Sequence, residues 1–439
     1  MKKGTALATA LLALPLCALG QQNPTPPPAV PAPPPRADTS KPPAARISLD
    51  EAIRLALQHN HALLAARTTI LQNQAQEITA NLRPNPTLSW DTQFIPLFQP
   101  NNFTANYFEN QAQFDLGIGY LFERGKKRQH RLQAAKDQTA VTRAQVTDNE
   151  RQLTFNVSQQ FVNVLLAQST LDLAQQDHDS FQKTVEISES RFKAGDMSEG
   201  DLLKIKLQLL QFQSDVLTAR LSKVQALSAL RQQVGFESVP DSFDVEGELD
   251  YQPVHAGLDD LKALALRSRP DLQAAHLGVT AAQSQESLAE ANGKRDLNVT
   301  FDYTHTAGVN SGAFFFNIDL PIFDRNQGEI ARTRYAITQF QELQSEAAQQ
   351  VITDVVDAYE ALHSNDQIIQ LYRGGYVEQA QKSRDITEYA YKKGAASLLD
   401  FLDSERTYRA NQLAYRQALA SYMTALEQMR QAVGTRNLP

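Results

Sequence analysis

Residues 49–66 read LDEAIRLALQHNHALLAA, and residues 258–275 read LDDLKALALRSRPDLQAA. The two stretches align without a gap at an offset of 209, with Leu55-Ala56-Leu57 meeting Leu264-Ala265-Leu266. A repeat of so long a period fixes architecture before any local assignment. The match continues outward. LFERGKKRQHR (121–131) meets IFDRNQGEIAR (322–332) at an offset of 201, so the second copy has lost eight residues in between, in a loop. Further on, Phe192-Lys193-Ala194-Gly195 meets Tyr391-Lys392-Lys393-Gly394, and Val234-Gly235 meets Val433-Gly434, both at 199. One structural unit is therefore written twice, over 47–236 and 258–435, joined by a linker at 237–257.

Each copy reads as helix, two strands, then two very long helices. In the second copy Leu297, Val299, Phe301 and Tyr303 alternate with polar residues, a period of two that only a strand can use. Phe314, Phe316, Ile318 and Leu320 supply its partner, after a turn region from Gly308 to Gly312. In the first copy Leu88, Trp90 and Phe94 pair with Phe114, Leu116, Ile118 and Tyr120, more weakly because Pro96 and Gly117 intrude. From Lys127 to Lys193 and from Gln327 to Lys393 there is no proline, and only Gly374-Gly375 interrupts. Helices of that length run on the order of 100 Å and need partners. The helices that follow have a seven-residue spacing: Leu203, Leu210, Leu217 and Val224, then Phe401, Tyr408, Tyr415, Tyr422 and Met429. Such stripes predict coiled-coil packing.

Composition excludes several classes. The 439 residues carry 42 Lys+Arg against 49 Asp+Glu, a formal net charge of −7, with no basic run long enough to track a phosphate backbone. Nucleic acid is not an expected partner. A single cysteine excludes a disulfide scaffold and a Cys-rich zinc site. That Cys17 lies in an export signal spanning 1–20: a basic start, an Ala/Leu-rich run, then Ala18-Leu19-Gly20 for the peptidase. Ordinary cleavage is expected; the rival, lipidation of Cys17, meets a bulky Leu at 14 where a small residue is usual. A leader at 21–46 follows, and residues 24–43 hold ten of the twenty prolines. No metal site, cofactor or catalysis is expected: there is no G-x-S-x-G elbow and no P-loop, and His59 and His61 are two apart, not i, i+4.

Beyond the signal, no stretch approaches the ~18 apolar residues of a membrane helix, whereas β-barrel strands are short and alternating. Four strands cannot stand alone in lipid, because an open edge leaves N–H and C=O groups unpaired where no water reaches them. Subunits must close the sheet together. Two would give eight strands and a filled interior; three give twelve and a lumen. The expectation is a mostly α chain with a small β part, a homotrimer forming a 12-stranded β-barrel continued by a long α-helical tunnel. The alternative is a soluble periplasmic coiled-coil scaffold or adaptor whose strands only cap the helices.

These residues resemble the TolC-type outer-membrane efflux proteins. The resemblance covers nearly all of 47–435 and is carried by the duplicated order, by DLPIFDRNQGEIAR (319–332), and by the turns RFKAGDMSEGDLL (191–203) and YKKGAASLLDFLD (391–403). DLPIFDRNQGEIAR and FERGKKRQHR look most like the heavy-metal-efflux branch. The resemblance implies a trimeric channel-tunnel in outer-membrane lipid, a passive exit duct with its hairpins in the periplasm. There the hairpin turns would meet a periplasmic adaptor joined to an inner-membrane pump, as in tripartite efflux or type I secretion.

The adaptor-contact residues would be Gly195, Asp196 and Ser198 in one turn and Gly394, Ala395 and Ser397 in the other. The glycines also serve as simple helix terminators, since a sharp exit from a helix often needs φ > 0. Where the family usually has Leu after this Gly, Asp196 and Ala395 stand here. Asp400 and Asp403 lie three apart and share a helix face, so in a trimer they become rings that attract cations. Sequence alone favours a solvated pair; the resemblance reverses that and carries both onto the family's acidic pore constriction. It likewise carries Asp201 and Tyr391 onto a tunnel-end latch. The family's Arg partner is Ala396 here, leaving Lys392 or Lys204 as substitutes.

Overall fold

The computed structural model describes residues 45–438. The export signal, Cys17 and the proline-rich run lie outside the described residues. The leader's expected last residue, Arg46, already belongs to a short strand, β1 (Arg46–Ile47), which pairs in parallel with β4 (Asp244–Val245) in the linker.

The first copy begins with two helices rather than one: α1 (Leu49–His59) and α2 (His61–Ala80). Asn60 breaks them in extended conformation, its side chain accepting from Leu63 N at 3.1 Å while its amide donates to Gln233 O at 2.9 Å. Strands β2 (Thr87–Gln93) and β3 (Gln113–Phe122) follow, then α4 (Lys127–Lys193) and α5 (Glu199–Val234). A short helix, α3 (Ala105–Asn110), lies in the connection between the strands. The second copy repeats the order as α6 (Leu258–Ser268), α7 (Pro270–Asn292), β5 (Leu297–Thr306), β6 (Val309–Asn317), α8 (Gln327–Leu371), α9 (Val377–Lys392) and α10 (Leu398–Val433). Arg269 marks the break matching Asn60, with Pro270 at the first helical position where its missing N–H costs nothing. Buried Arg269 donates to Asp271, to Asp354 at 2.7 Å and to Ala432 O at 3.2 Å.

The four longer strands form one antiparallel sheet in the order β2-β3-β5-β6. Its register sorts the faces. Leu88, Ile118, Phe301 and Phe314 form one row across all four strands, and Trp90, Leu116 and Tyr303 part of the next. All seven are well exposed in the single chain. The opposite face carries Ser89, Gly117 and Asp302 in one row and Asp91, Asp115, Thr304 and Ser311 in another. Gly117 leaves room there that the Asp302 carboxylate and the Ser89 hydroxyl fill: a Cβ would displace both side chains.

The strands end earlier than their patterns predict. Phe94 lies past β2 with φ 59, because the chain turns away ahead of Pro96. Ile318 and Leu320 lie past β6, on the approach to Pro321, which has no N–H for a ladder. The turn between β5 and β6 is only Ala307-Gly308, at φ 50 and 74, so Gly312 sits inside the strand. Two positive φ values in a two-residue connection match the twist of a tight hairpin. Against it, the first copy spends residues 94–112 between its strands, which locates the length difference between the copies in a loop.

The long helices emerge as expected, α4 unbroken for 67 residues. In the second copy the Gly374-Gly375 pair produces a π-helical turn, Tyr372–Tyr376, between α8 and α9. The heptad stripes part ways. Phe401, Tyr422 and Met429 on α10 are at most 1% exposed, whereas Leu203, Leu210, Leu217 and Val224 on α5 are 54% to 63% exposed. The first stripe is no core of the single chain; it faces outward along the whole helix. No helix among the described residues is long and apolar enough to cross a membrane.

Candidate functional site

The ends of the two hairpins, α4–α5 and α9–α10, lie side by side. Gly195 (φ 83) and Gly394 (φ 75) terminate α4 and α9. Asp196 N bonds back to Arg191 O at 2.9 Å, and Ala395 N to Ala390 O at 2.8 Å, closing both helix ends in the same way. A Cβ at either glycine would meet nothing within 4 Å, so the backbone angle alone demands glycine.

Each turn then opens the next helix with a serine. Ser198 accepts from Asp201 N at 3.1 Å. Ser397 accepts from Asp400 N at 3.1 Å, and the Asp400 carboxylate accepts from Ser397 N at 3.2 Å, a reciprocal capping box. Asp400 is thus a cap in the single chain. Asp403, one turn on, is exposed and pairs with Arg406 at 2.7 Å. The two carboxylates do lie on the exposed first turns of α10.

The expected latch residues do not meet within a chain. Asp201 is engaged by Ser198 and by Lys204 at 3.2 Å; the Ser198 bond, then Lys204, holds its carboxyl below the ordinary range. Lys392 is likewise taken, by Glu388 at 2.6 Å. Tyr391 is buried, its ring stacked on Phe401 at 5.1 Å and its hydroxyl without a partner among the described residues. Arg191 of α4 covers it, 5.5 Å from the ring centre, and donates to Tyr391 O at 3.3 Å. Arg191 was visible inside a quoted turn, but its spacing says nothing of a reach of 200 residues.

What joins the hairpins is a cluster that sequence reasoning missed. Phe181 of α4 packs against Phe212 of α5 at 4.8 Å and stacks on Phe401 of α10 at 6.2 Å. Arg409 of α10 reaches both helices of the other hairpin, Asp177 on α4 at 3.1 Å and Asp215 on α5 at 2.5 Å, with its guanidinium over the Phe212 ring at 4.4 Å. Burial raises the Asp177 carboxyl above the ordinary range, against the pull of Arg409. Near it Glu405 is buried, its carboxyl pushed up to about 7 by desolvation above all. Among the described residues no cluster of His, Cys, Asp and Glu is arranged to hold a metal ion.

Residues 52–235 and 261–435, the two copies almost in full, match the sequence model of the outer membrane efflux protein family. The cobalt-zinc-cadmium resistance protein CzcC of Cupriavidus metallidurans is 26% identical over 401 residues, covering 89% of this chain and 88% of its own length. The pyoverdine export outer membrane protein OpmQ of Pseudomonas aeruginosa is 23% identical over 410 residues, covering 88% of this chain and 85% of its own. Among solved structures, the Campylobacter jejuni CmeC outer membrane channel superposes with a TM-score of 0.73 at 16% identity, over 89% of this chain and 86% of that one. The family match spans both copies and the fold is that of the solved channels: this chain belongs to the outer membrane efflux protein family.

Proposed function

We propose that the protein is the outer-membrane exit duct of a tripartite efflux system, assembled from three copies of this chain. The carrying observation is the four-stranded sheet, apolar on one face, polar on the other and open at β2 and β6. Such a sheet is tolerable in lipid only when its edges are paired, and three copies close twelve strands around the polar face. The outward stripe on α5 extends the same logic below the barrel: Leu203, Leu210, Leu217 and Val224 need a neighbouring helix, and the next copy supplies it. The soluble-scaffold reading leaves both apolar surfaces uncovered.

The duct makes and breaks no bond; an inner-membrane pump supplies the energy, and a periplasmic adaptor grips the turns at Gly195–Ser198 and Gly394–Ser397. Likeness to CzcC over nearly the full chain supports metal cations as cargo. Carboxylates on the polar sheet face, Asp91, Asp115 and Asp302, favour cations over anions along the route. At the tunnel end Asp400 and Asp403 would form the constriction. Single-channel recording of detergent-purified protein in a planar bilayer tests this. Discrete cation-preferring steps that the double variant Asp400→Ala/Asp403→Ala enlarges or makes less selective are expected. Unaltered steps would remove the constriction, and protein recovered from the periplasm without detergent would overturn the duct.

A further inference from the structure

The two hairpins are not equivalent. α4 descends unbroken, while its counterpart in the second copy is interrupted at Tyr372–Tyr376, where Gly375 takes φ 108 inside the helix. A π-turn opens the helical ladder at one point, and glycine holds that φ without strain. The break is also roomy: a Cβ at Gly374 would meet nothing within 4 Å, and one at Gly375 only the Gln379 amide, at 3.5 Å. Just above, the chain is clamped. Tyr372 packs on Tyr415 at 5.9 Å, and the Arg373 guanidinium lies 5.0 Å from the centre of the Tyr251 ring. Below, α9 buries a single residue, Tyr391. Within one chain α9 is an arm with a fixed pivot and a sparse grip.

Part of that grip is polar. Arg384 of α9 lies over Tyr408 of α10 at 4.5 Å. One turn before Tyr408 is Glu405, 6% exposed, with no ion-pair or hydrogen-bond partner among the described residues. It lines a cavity of about 310 Å³ together with Gln208, Phe212, Leu402, Asp403 and Arg409. The charges acting on it come from the helices around it: Arg384 and Glu388 on α9, Asp177 on α4, Arg409 on its own helix. Most are already committed. Arg409 serves Asp177 and Asp215, Glu388 holds Lys392, and Arg406 beside the cavity holds Asp403. Arg384, the nearest compensating charge, is itself shared with Asp385 at 3.0 Å and with Glu388, so burial outweighs its pull and an ionised Glu405 is under-compensated while α9 stays packed.

We propose that Glu405 is the proton-sensitive catch of a hinge whose pivot is the Gly374–Gly375 break, the arm Val377–Lys392 staying packed while the carboxyl is protonated and swinging loose when it ionises. The packed state binds a proton that the loosened state releases, so protonation favours packing. Burial raises the carboxyl from 4.5 to about 7, so this contribution is complete below pH 4.5 and is lost as pH rises through 7. The consequence for conduction rests on the duct reading; the hinge does not.

Hydrogen–deuterium exchange on the purified full chain in detergent, from pH 5 to 8.5 and corrected for intrinsic rates, tests it alongside channel recording. Amides of 377–392 should be protected at acid pH and lose about tenfold or more of that protection above neutrality, while those of the unbroken α4 helix stay constant. Glu405→Gln should hold the arm protected throughout, and Glu405→Asp should keep a switch. An arm whose exchange ignores pH in the wild type, or a Glu405→Gln variant that follows the wild-type profile, overturns the hinge. Currents with a pH-indifferent arm would sink the hinge and spare the duct; a switching arm without currents would do the reverse.

Discussion

Asp400 has two separable jobs, and its position explains both. As the third residue of α10 it closes a capping box with Ser397, and as an exposed carboxylate at the hairpin end it would contribute charge to a constriction. Asp400→Ala removes both, at about 1 kcal/mol for the lost cap. Asp400→Asn keeps an acceptor for Ser397 N and removes only the charge. Ion selectivity in a bilayer should therefore shift in both variants, while thermal stability falls only for Ala; selectivity unchanged in Asn assigns Asp400 to capping alone. Gly195 and Gly394 were legible as helix ends because that chemistry is local, whereas the capping roles of Ser198 and Ser397 emerge from the structure. Arg409 and Glu405 were not legible, because their partners lie on helices far away in sequence and no spacing encodes them.

At the scale of elements, the two heptad stripes illustrate what a pattern does and does not contain. Leu203 to Val224 and Phe401 to Met429 share one spacing, yet the second is the inner seam of the chain and the first faces outward. Periodicity says that a face will be covered; it does not say by whom. If the next subunit covers α5, Leu210→Glu with Leu217→Glu places two charges in that seam, where they cost several kcal/mol in desolvation. Light scattering with size-exclusion chromatography in detergent should then report monomers in place of trimers. A trimer that survives both charges would assign the stripe to a different partner. The strand ends show the complementary limit, since Phe94, Ile318 and Leu320 continue the alternation beyond the hydrogen-bonded ladder. Alternation records which face is apolar, while prolines at 96 and 321 decide where pairing stops.

For the whole molecule, the decisive question is which surface meets lipid. The chain contains one tryptophan, Trp90, on the apolar face of the sheet and largely exposed in the single chain. In vesicles of brominated phospholipid its fluorescence should be quenched by at least about half relative to unbrominated lipid, as for a side chain in the apolar band of a barrel. Emission indifferent to bromination would place this face against protein instead. By itself the sequence determined the duplication, the order of elements, the great length of the helices and the residues that end them, because each is encoded in period, proline placement or cap chemistry within a few residues. Only the tertiary structure decided that α5 faces outward, that Arg409 clasps the opposite hairpin, that Tyr391 is packed in the single chain, and that a buried Glu405 sits beneath a break in the second hairpin alone. Those depend on how two copies of one unit settle against each other, and a repeat that makes the copies alike in sequence carries little record of where their environments differ.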